Sequence, residues 1–233
     1  MNTPDFLIVG AGIFGITTAI ELRKQNYSVA ILNPDSIPHP LAASTDISKI
    51  VRMEYGADLQ YMDMANTSID RWKAWNDLFK DTLYHEVGFL LLCQRPMETE
   101  GQSFEWNSFQ SLLQKGFQPH RLDKKSITEN YPVFANGKFV DGFFHSKAGF
   151  VEASRAVARL TDYARELGVE VFEEKKVKRL LEKNNKVIGV KTEENENFHA
   201  GHVIVCAGPN TPCLLYTSPS PRDQRGSRMP SSA

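Results

Sequence analysis

The sequence predicts an α/β fold, and three observations carry that reading. The chain opens on a short apolar run, Asp5–Val9, followed at once by the glycine run Gly10-Ala11-Gly12-Ile13-Phe14-Gly15. Helix formers then occupy 13–25, and a second apolar run follows over Tyr27–Leu32. Strand, glycine turn, helix and strand in that order make a Rossmann-like βαβ opening. Alternation of helix and strand returns between Glu152 and Cys206.

Each element has its own local reason. Asp5–Val9 has the continuous apolar character of a strand buried on both faces. Ile13, Ile16 and Ile20 form one stripe of a helix that ends on Arg23 and Lys24, which suit its negative C-terminal end. The loop Asn33-Pro34-Asp35-Ser36-Ile37-Pro38-His39-Pro40 holds too much proline for either regular element. Farther on, Leu59–Lys80 reads as a long helix with Trp72 and Trp75, and Val87–Cys93 as a strand. Residues 103–116 suit a helix carrying Trp106, and Lys138–Phe144 a strand. The three tryptophans read as core or domain-interface residues. Glu152–Leu167 is a helix stopped by Gly168, and Val169–Phe172 a strand. Val177–Leu181 and Val187–Val190 make a hairpin, and His202–Cys206 is a last apolar strand.

Composition excludes several function classes. With 41% hydrophobic and 24% charged residues, the 233-residue chain is of ordinary globular make-up and long enough for one to two domains. Lys plus Arg number 27 and Asp plus Glu 28, so nothing pulls the chain toward nucleic acid. No apolar run approaches the length of a membrane span, and the apolar start lacks the basic leader of a signal peptide. Cys93, Cys206 and Cys213 show neither disulfide nor zinc spacing, and a reducing compartment is the default. No metal site is expected: His199 and His202 have no third ligand, and His85 and His145 read as satisfied structural residues.

The glycine run carries the chemistry. Gly10 permits the tight turn, Gly12 lets a diphosphate approach the backbone, and Gly15 lets helix and strand pack closely. The helix N-terminus supplies N–H groups and positive partial charge. The fingerprint expects an acid at the end of the second strand to hold a ribose. Asn33 stands there instead, with Asp35 two residues on as a substitute if the loop turns back. Lys49 and Arg52 set two cations three residues apart, on one side if that segment is helical. A nicotinamide dehydrogenase would continue with another helix and strand, whereas this chain runs into Pro-x-Pro and a segment of small and hydroxyl residues.

The glycine fingerprint, the proline loop, A-S-T-D-x-x-K-I-x-R-x-x-Y-G over 43–56 and V-I-V-C-A-G-P-N-T over 203–211 together resemble the D-amino-acid-oxidase-type FAD oxidoreductases. The subgroup includes monomeric sarcosine, pipecolate, L-saccharopine and fructosyl amino acid oxidases. The resemblance implies a discontinuous FAD domain, 1–56 with 151–212. It also implies a partial α+β substrate domain with a mixed sheet over 57–150. FAD would lie against Gly10, Ala11, Gly12, Ile13, Phe14 and Gly15. Asn33 and Pro34 would stand at the ribose, and Ala43, Ser44, Thr45 and Lys49 on the flavin side. Val177 would lie by the adenine, and Ala207 and Gly208 along the cofactor. Arg52 would grip a substrate carboxylate, with Lys49 beside it.

The implied reaction is oxidation of an amino acid C–N bond, with oxygen as acceptor and an imine and hydrogen peroxide as products. Location would be cytoplasmic or peroxisomal. Two other readings are a nicotinamide dehydrogenase and a truncated, non-catalytic fragment. From about Cys213 the text CLLYTSPSPRDQRGSRMPSSA has no periodicity and closely resembles translated vector read-through, so 213–233 is expected to be a non-native disordered tail. The family's flavin-linking cysteine and later FAD segment would lie beyond it, so covalent attachment is not assigned; Cys206 reads as a small core residue.

Overall fold

A computed structural model describes residues 3–100 and 103–216. In chain order they form β1 (Phe6–Val9), α1 (Ile13–Lys24), β2 (Val29–Leu32), β3 (Lys49–Val51), α2 (Leu59–Phe79), β4 (Tyr84–His85), β5 (Phe89–Cys93), α3 (Phe104–Gln114) and β6 (His120–Asp123). There follow α4 (Lys124–Asn130), β7 (Asp141–His145), β8 (Gly149–Val151), α5 (Ala153–Glu166), β9 (Glu170–Phe172), β10 (Val177–Lys183), β11 (Lys186–Thr192), β12 (Asn197–His199), β13 (His202–Val205) and α6 (Thr211–Tyr216). The chain divides into two compact units, one built from residues up to Ile47 and from Ala153 onward, the other from Ser48–Glu152.

The first unit centres on a four-stranded parallel sheet in the order β13-β1-β2-β9. β1 and β2 are apolar throughout, as suits strands covered on both faces, whereas β9 and β13 open on exposed Glu170 and His202. Leu7, Val9, Ala30 and Leu32 share a core with Leu180 and Val190 of the antiparallel β10-β11-β12 sheet. Ile8, of opposite parity, faces α1 instead. Arg23, in the last turn of α1, donates from Nε to the Leu167 carbonyl (2.9 Å) and from Nη1 to the Tyr27 carbonyl (2.7 Å), joining the ends of α1 and α5.

The second unit holds two antiparallel three-stranded sheets, β3-β8-β4 and β5-β7-β6. Helix α2 starts on an Asp58 cap that accepts from the Tyr61 N–H and ends on Lys80 in the left-handed region. It buries Met62, Ile69, Trp72 and Trp75, as its periodicity requires, whereas Trp106 of α3 is half-buried. At one edge of β7, Asp141 takes a bidentate pair from Arg121 (3.1 and 2.8 Å) and N–H bonds from Met97 and Gly142 (both 2.8 Å). Burial alone would raise the Asp141 pKa; those donors outweigh it and hold the carboxyl below its usual range.

Three expectations change. Lys49–Val51 is a strand paired with β8, not a helix, so Lys49 and Arg52 are not one face of a helical turn; β-branched Ile50 and Val51 suit the strand. Residues 48–56 group with the second unit. The hairpin is longer than expected and gains β12 as a third strand. Cys213–Tyr216 complete helix α6, with Leu214 buried in the core of the first unit, so the irregular stretch does not begin at 213. Residues 217–233 of the expected tail lie outside the described residues.

A stability prediction follows from Asp141. A carboxyl whose pKa is depressed in the folded state stabilises above its unfolded value, near 3.9, and loses that contribution as pH falls through the folded value. In urea denaturation, wild type should exceed Asp141→Asn in stability at pH 7, with the gap closing below about pH 4. A gap independent of pH would contradict this assignment.

Candidate functional site

Backbone contacts build the glycine turn. Gly10 has φ of 104° and its N–H donates to the Leu32 carbonyl (2.8 Å); a Cβ there would stand 2.4 Å from the Cys206 carbonyl oxygen. A Cβ on Gly15 would lie 1.9 Å from the Gly10 carbonyl oxygen, so α1 can leave β1 at this angle only with glycine there. Gly12 caps α1 in extended conformation with no side-chain bond, and its carbonyl accepts the first helical bond from Ile16 (3.0 Å).

Asn33 locks this turn from the end of β2. It is buried; its Oδ1 accepts from the Ala11 N–H (3.1 Å) and its Nδ2 donates to the carbonyls of Asp35 (2.8 Å) and Ser36 (3.3 Å). The side chain thus ties the glycine turn to the loop that starts at half-buried Pro34. The Asp35 carboxylate lies 2.9 Å from His39 Nε2, and His39 Nδ1 accepts from the Leu41 N–H (3.0 Å).

The donors left over point to an anion. The N–H groups of Gly12, Phe14 and Gly15 meet no acceptor among the described residues, while that of Ile13 donates to Ser44 Oγ (3.3 Å). Ser44 Oγ also lies 3.2 Å from where a Gly12 Cβ would stand, which brings the 43–45 segment against the turn. Beside it, buried Thr45 Oγ1 has no partner among the described residues, and Ala43 is exposed. Cys206 continues β13 and donates its N–H to the Val9 carbonyl (2.8 Å), bringing Ala207 and Gly208 beside the turn's strand. Burial pushes the Cys206 thiol up, in keeping with a small packed residue. Val177 is half-buried at the start of β10. The first unit therefore brings Gly10–Gly15, Asn33, Ser44, Thr45 and Ala207 together.

Lys49 and Arg52 belong to the second unit. Lys49 is exposed in β3. Arg52 sits among three aromatic rings, its guanidinium 5.1 Å from the Tyr55, 5.5 Å from the Phe89 and 5.9 Å from the Phe104 ring centroid. Its Nη1 donates to the Glu54 carbonyl. The Glu54 carboxylate beneath is fully buried and pairs with buried His145 (Oε1 to Nδ1, 2.9 Å). Gly56 donates to Ser108 Oγ (2.8 Å) and accepts from Ser111 Oγ (2.9 Å). Sequence reasoning missed Glu54, Tyr55, Phe89, Phe104 and the two serines as Arg52's surroundings. The one available signal was a charged Glu54 beside an apolar methionine within the 43–56 motif.

Residues 5–229 match the family described as FAD dependent oxidoreductase. The chain belongs to that family. FAD is the family's cofactor, which sets aside the nicotinamide reading. L-saccharopine oxidase of Schizosaccharomyces pombe is 29% identical over 229 residues, covering 91% of this chain and 52% of that protein. The human peroxisomal sarcosine oxidase is 26% identical over 212 residues, again 91% and 52%. Among solved structures, a modified fructosyl peptide oxidase from Aspergillus nidulans superposes with a TM-score of 0.78 at 26% identity, covering 92% of this chain and 52% of that one. NikD, an amino acid oxidase of nikkomycin biosynthesis, shares the fold with a TM-score of 0.77 at 19% identity. The chain spans about half the length of these relatives.

FAD fits the residues present: glycines at 10, 12 and 15, N–H groups at a helix N-terminus that meet no acceptor among the described residues, and the partnerless Thr45 hydroxyl next along the chain from Ser44, which meets the turn. Gly12→Val should abolish flavin retention, read as flavin absorbance per protein; normal flavin content would contradict the fit. Asn33→Ala should leave the Ala11 N–H and the Asp35 carbonyl unpaired and destabilise by about 1–3 kcal/mol in chemical denaturation. An unchanged midpoint would show that Asn33 does not hold the turn.

Proposed function

We propose that the protein containing this chain oxidises the C–N bond of an amino acid or N-substituted amino acid, with oxygen as acceptor. The substrates fall in the sarcosine, pipecolate, saccharopine or fructosyl amino acid class, and the products are an imine and hydrogen peroxide. The observation that carries this reading is the glycine turn whose N–H groups meet no acceptor among the described residues, in a chain of an FAD-dependent family. The names of the saccharopine and sarcosine oxidase relatives support the substrate class, and the peroxisomal relative supports a peroxisomal or cytoplasmic location.

The roles divide by unit. Gly10, Gly12, Gly15 and the first turn of α1 hold the diphosphate through N–H donation. Ala43, Ser44 and Thr45 of the first unit serve the flavin side, Val177 the adenine, and Ala207 and Gly208 the length of the cofactor. Asn33 contributes through the turn it locks, since both its Nδ2 protons and one Oδ1 lone pair are already used. When bound, FAD would supply the two-electron acceptor, taking one hydride equivalent from the carbon next to nitrogen. Arg52 binds and orients the substrate: its planar guanidinium pairs with a carboxylate, and the three rings near it restrict its rotamers. An amine that binds neutral needs no protein base for this reaction.

The test is anaerobic mixing of the full-length, flavin-loaded protein with N-methylglycine, pipecolate, saccharopine and a fructosyl amino acid. At least one should bleach the flavin absorbance, and peroxide should appear when oxygen is admitted. No bleaching by any member of the panel would contradict the proposal. Arg52→Ala should retain flavin while losing about 1.5–3 kcal/mol of transition-state stabilisation in kcat/KM. Unchanged kcat/KM for carboxylate substrates would remove Arg52 from substrate binding.

A further inference from the structure

We propose that the buried Glu54–His145 pair is a positioning device for Arg52, setting where its guanidinium presents itself to a substrate carboxylate. This rests on the role given to Arg52 above. Four observations carry it.

The pair is out of place as mere packing. Glu54 is 0% and His145 2% exposed, and removing a carboxylate and an imidazole from water is costly unless both are paired. An apolar pair would fill this space at lower cost. The Glu54 carboxylate is also fastened locally: Oε2 accepts from the Met53 N–H (3.1 Å) while Oε1 meets His145 Nδ1. The backbone of 53–54 is thereby fixed against β7.

That backbone is what Arg52 holds. Arg52 Nη1 donates to the Glu54 carbonyl, so a shift of Glu54 moves the acceptor that orients the guanidinium. The aromatic walls answer to the same residues. His145 is the cross-strand partner of Phe89 in the β5–β7 ladder, so the strand position that receives Glu54 also places a ring of the cage. The third wall, Phe104, opens α3, the helix whose Ser108 and Ser111 grip Gly56. Residues 52–56 are thus clamped to β7 at Glu54 and to α3 at Gly56, with Arg52 among Tyr55 of the segment itself, Phe89 of β5 and Phe104 of α3.

The experiment uses the full-length, FAD-loaded protein and follows the Nε–Hε NMR peak of Arg52, assigned by its loss in Arg52→Lys. His145→Leu should displace or broaden this peak. His145→Asn, whose Nδ2 stands where Nδ1 was and can donate to Glu54, should restore it. His85→Asn, at the separate His85–Glu152 pair, should leave it in place. With whichever probe amino acid bleaches the flavin, His145→Leu should raise KM by about tenfold with kcat within about twofold, and His145→Asn should recover most of the loss. An unmoved Arg52 peak in folded His145→Leu overturns the proposal whatever the activity. If His145→Leu does not fold, Glu54→Gln decides by the same peak. A displaced peak in a protein whose flavin no amino acid bleaches upholds the positioning of Arg52 and overturns the functional reading instead.

Discussion

A Cβ on Gly15 would lie 1.9 Å from the Gly10 carbonyl oxygen, and one on Gly10 would lie 2.4 Å from that of Cys206. Three backbone segments, the β1–α1 turn, the first turn of α1 and the end of β13, approach too closely there for any side chain. The rest of the first unit depends on this contact. It aims the N-terminus of α1 at the end of the parallel sheet and leaves N–H groups at the turn without an acceptor among the described residues. It also lets the sheet continue as β13-β1-β2-β9 with both faces covered. Asn33 adds a second restraint by bonding Ala11 on one side and the following loop on the other.

The second unit solves a different problem, which is holding a long, flexible cation in one place. Arginine loses about 2 kcal/mol of rotamer entropy when fixed. Three nearby rings and a backbone acceptor restrict it without neutralising its charge, which suits the carboxylate-binding role proposed for it. Elsewhere in the unit Arg121 shows the contrasting arrangement. There Asp141 and Glu98 both pair with the guanidinium and raise its pKa, so the charge is already met inside the protein.

The first unit was legible in the sequence because its signals are local. Gly10, Gly12 and Gly15 stand between an apolar run and a stretch of helix formers, the strand–turn–helix context the fingerprint requires, and the apolar runs of β1, β2 and β13 need no knowledge of their neighbours. What the sequence left open was long-range. Asn33 invited a ribose reading, and only the fold reveals that its amide is engaged with Ala11, Asp35 and Ser36. Residues 49–51 were ambiguous because three-residue strands carry almost no periodicity, and their strand character comes from β8, about a hundred residues on. The Glu54–His145 pair spans 91 positions, so nothing near either residue announced it. Leu214 lies within a stretch that reads as irregular, yet it finishes the core around Leu7 and Val190.

The most direct measurement is backbone amide hydrogen exchange at the glycine turn with and without FAD. If the turn cradles the diphosphate, the Gly12, Phe14 and Gly15 amides exchange more slowly once FAD is bound, and amides of the β10–β11 turn around Asn184 do not change. Slowing elsewhere in the protein, with those three amides unaffected, would contradict the assignment of the turn as the cofactor's anchor.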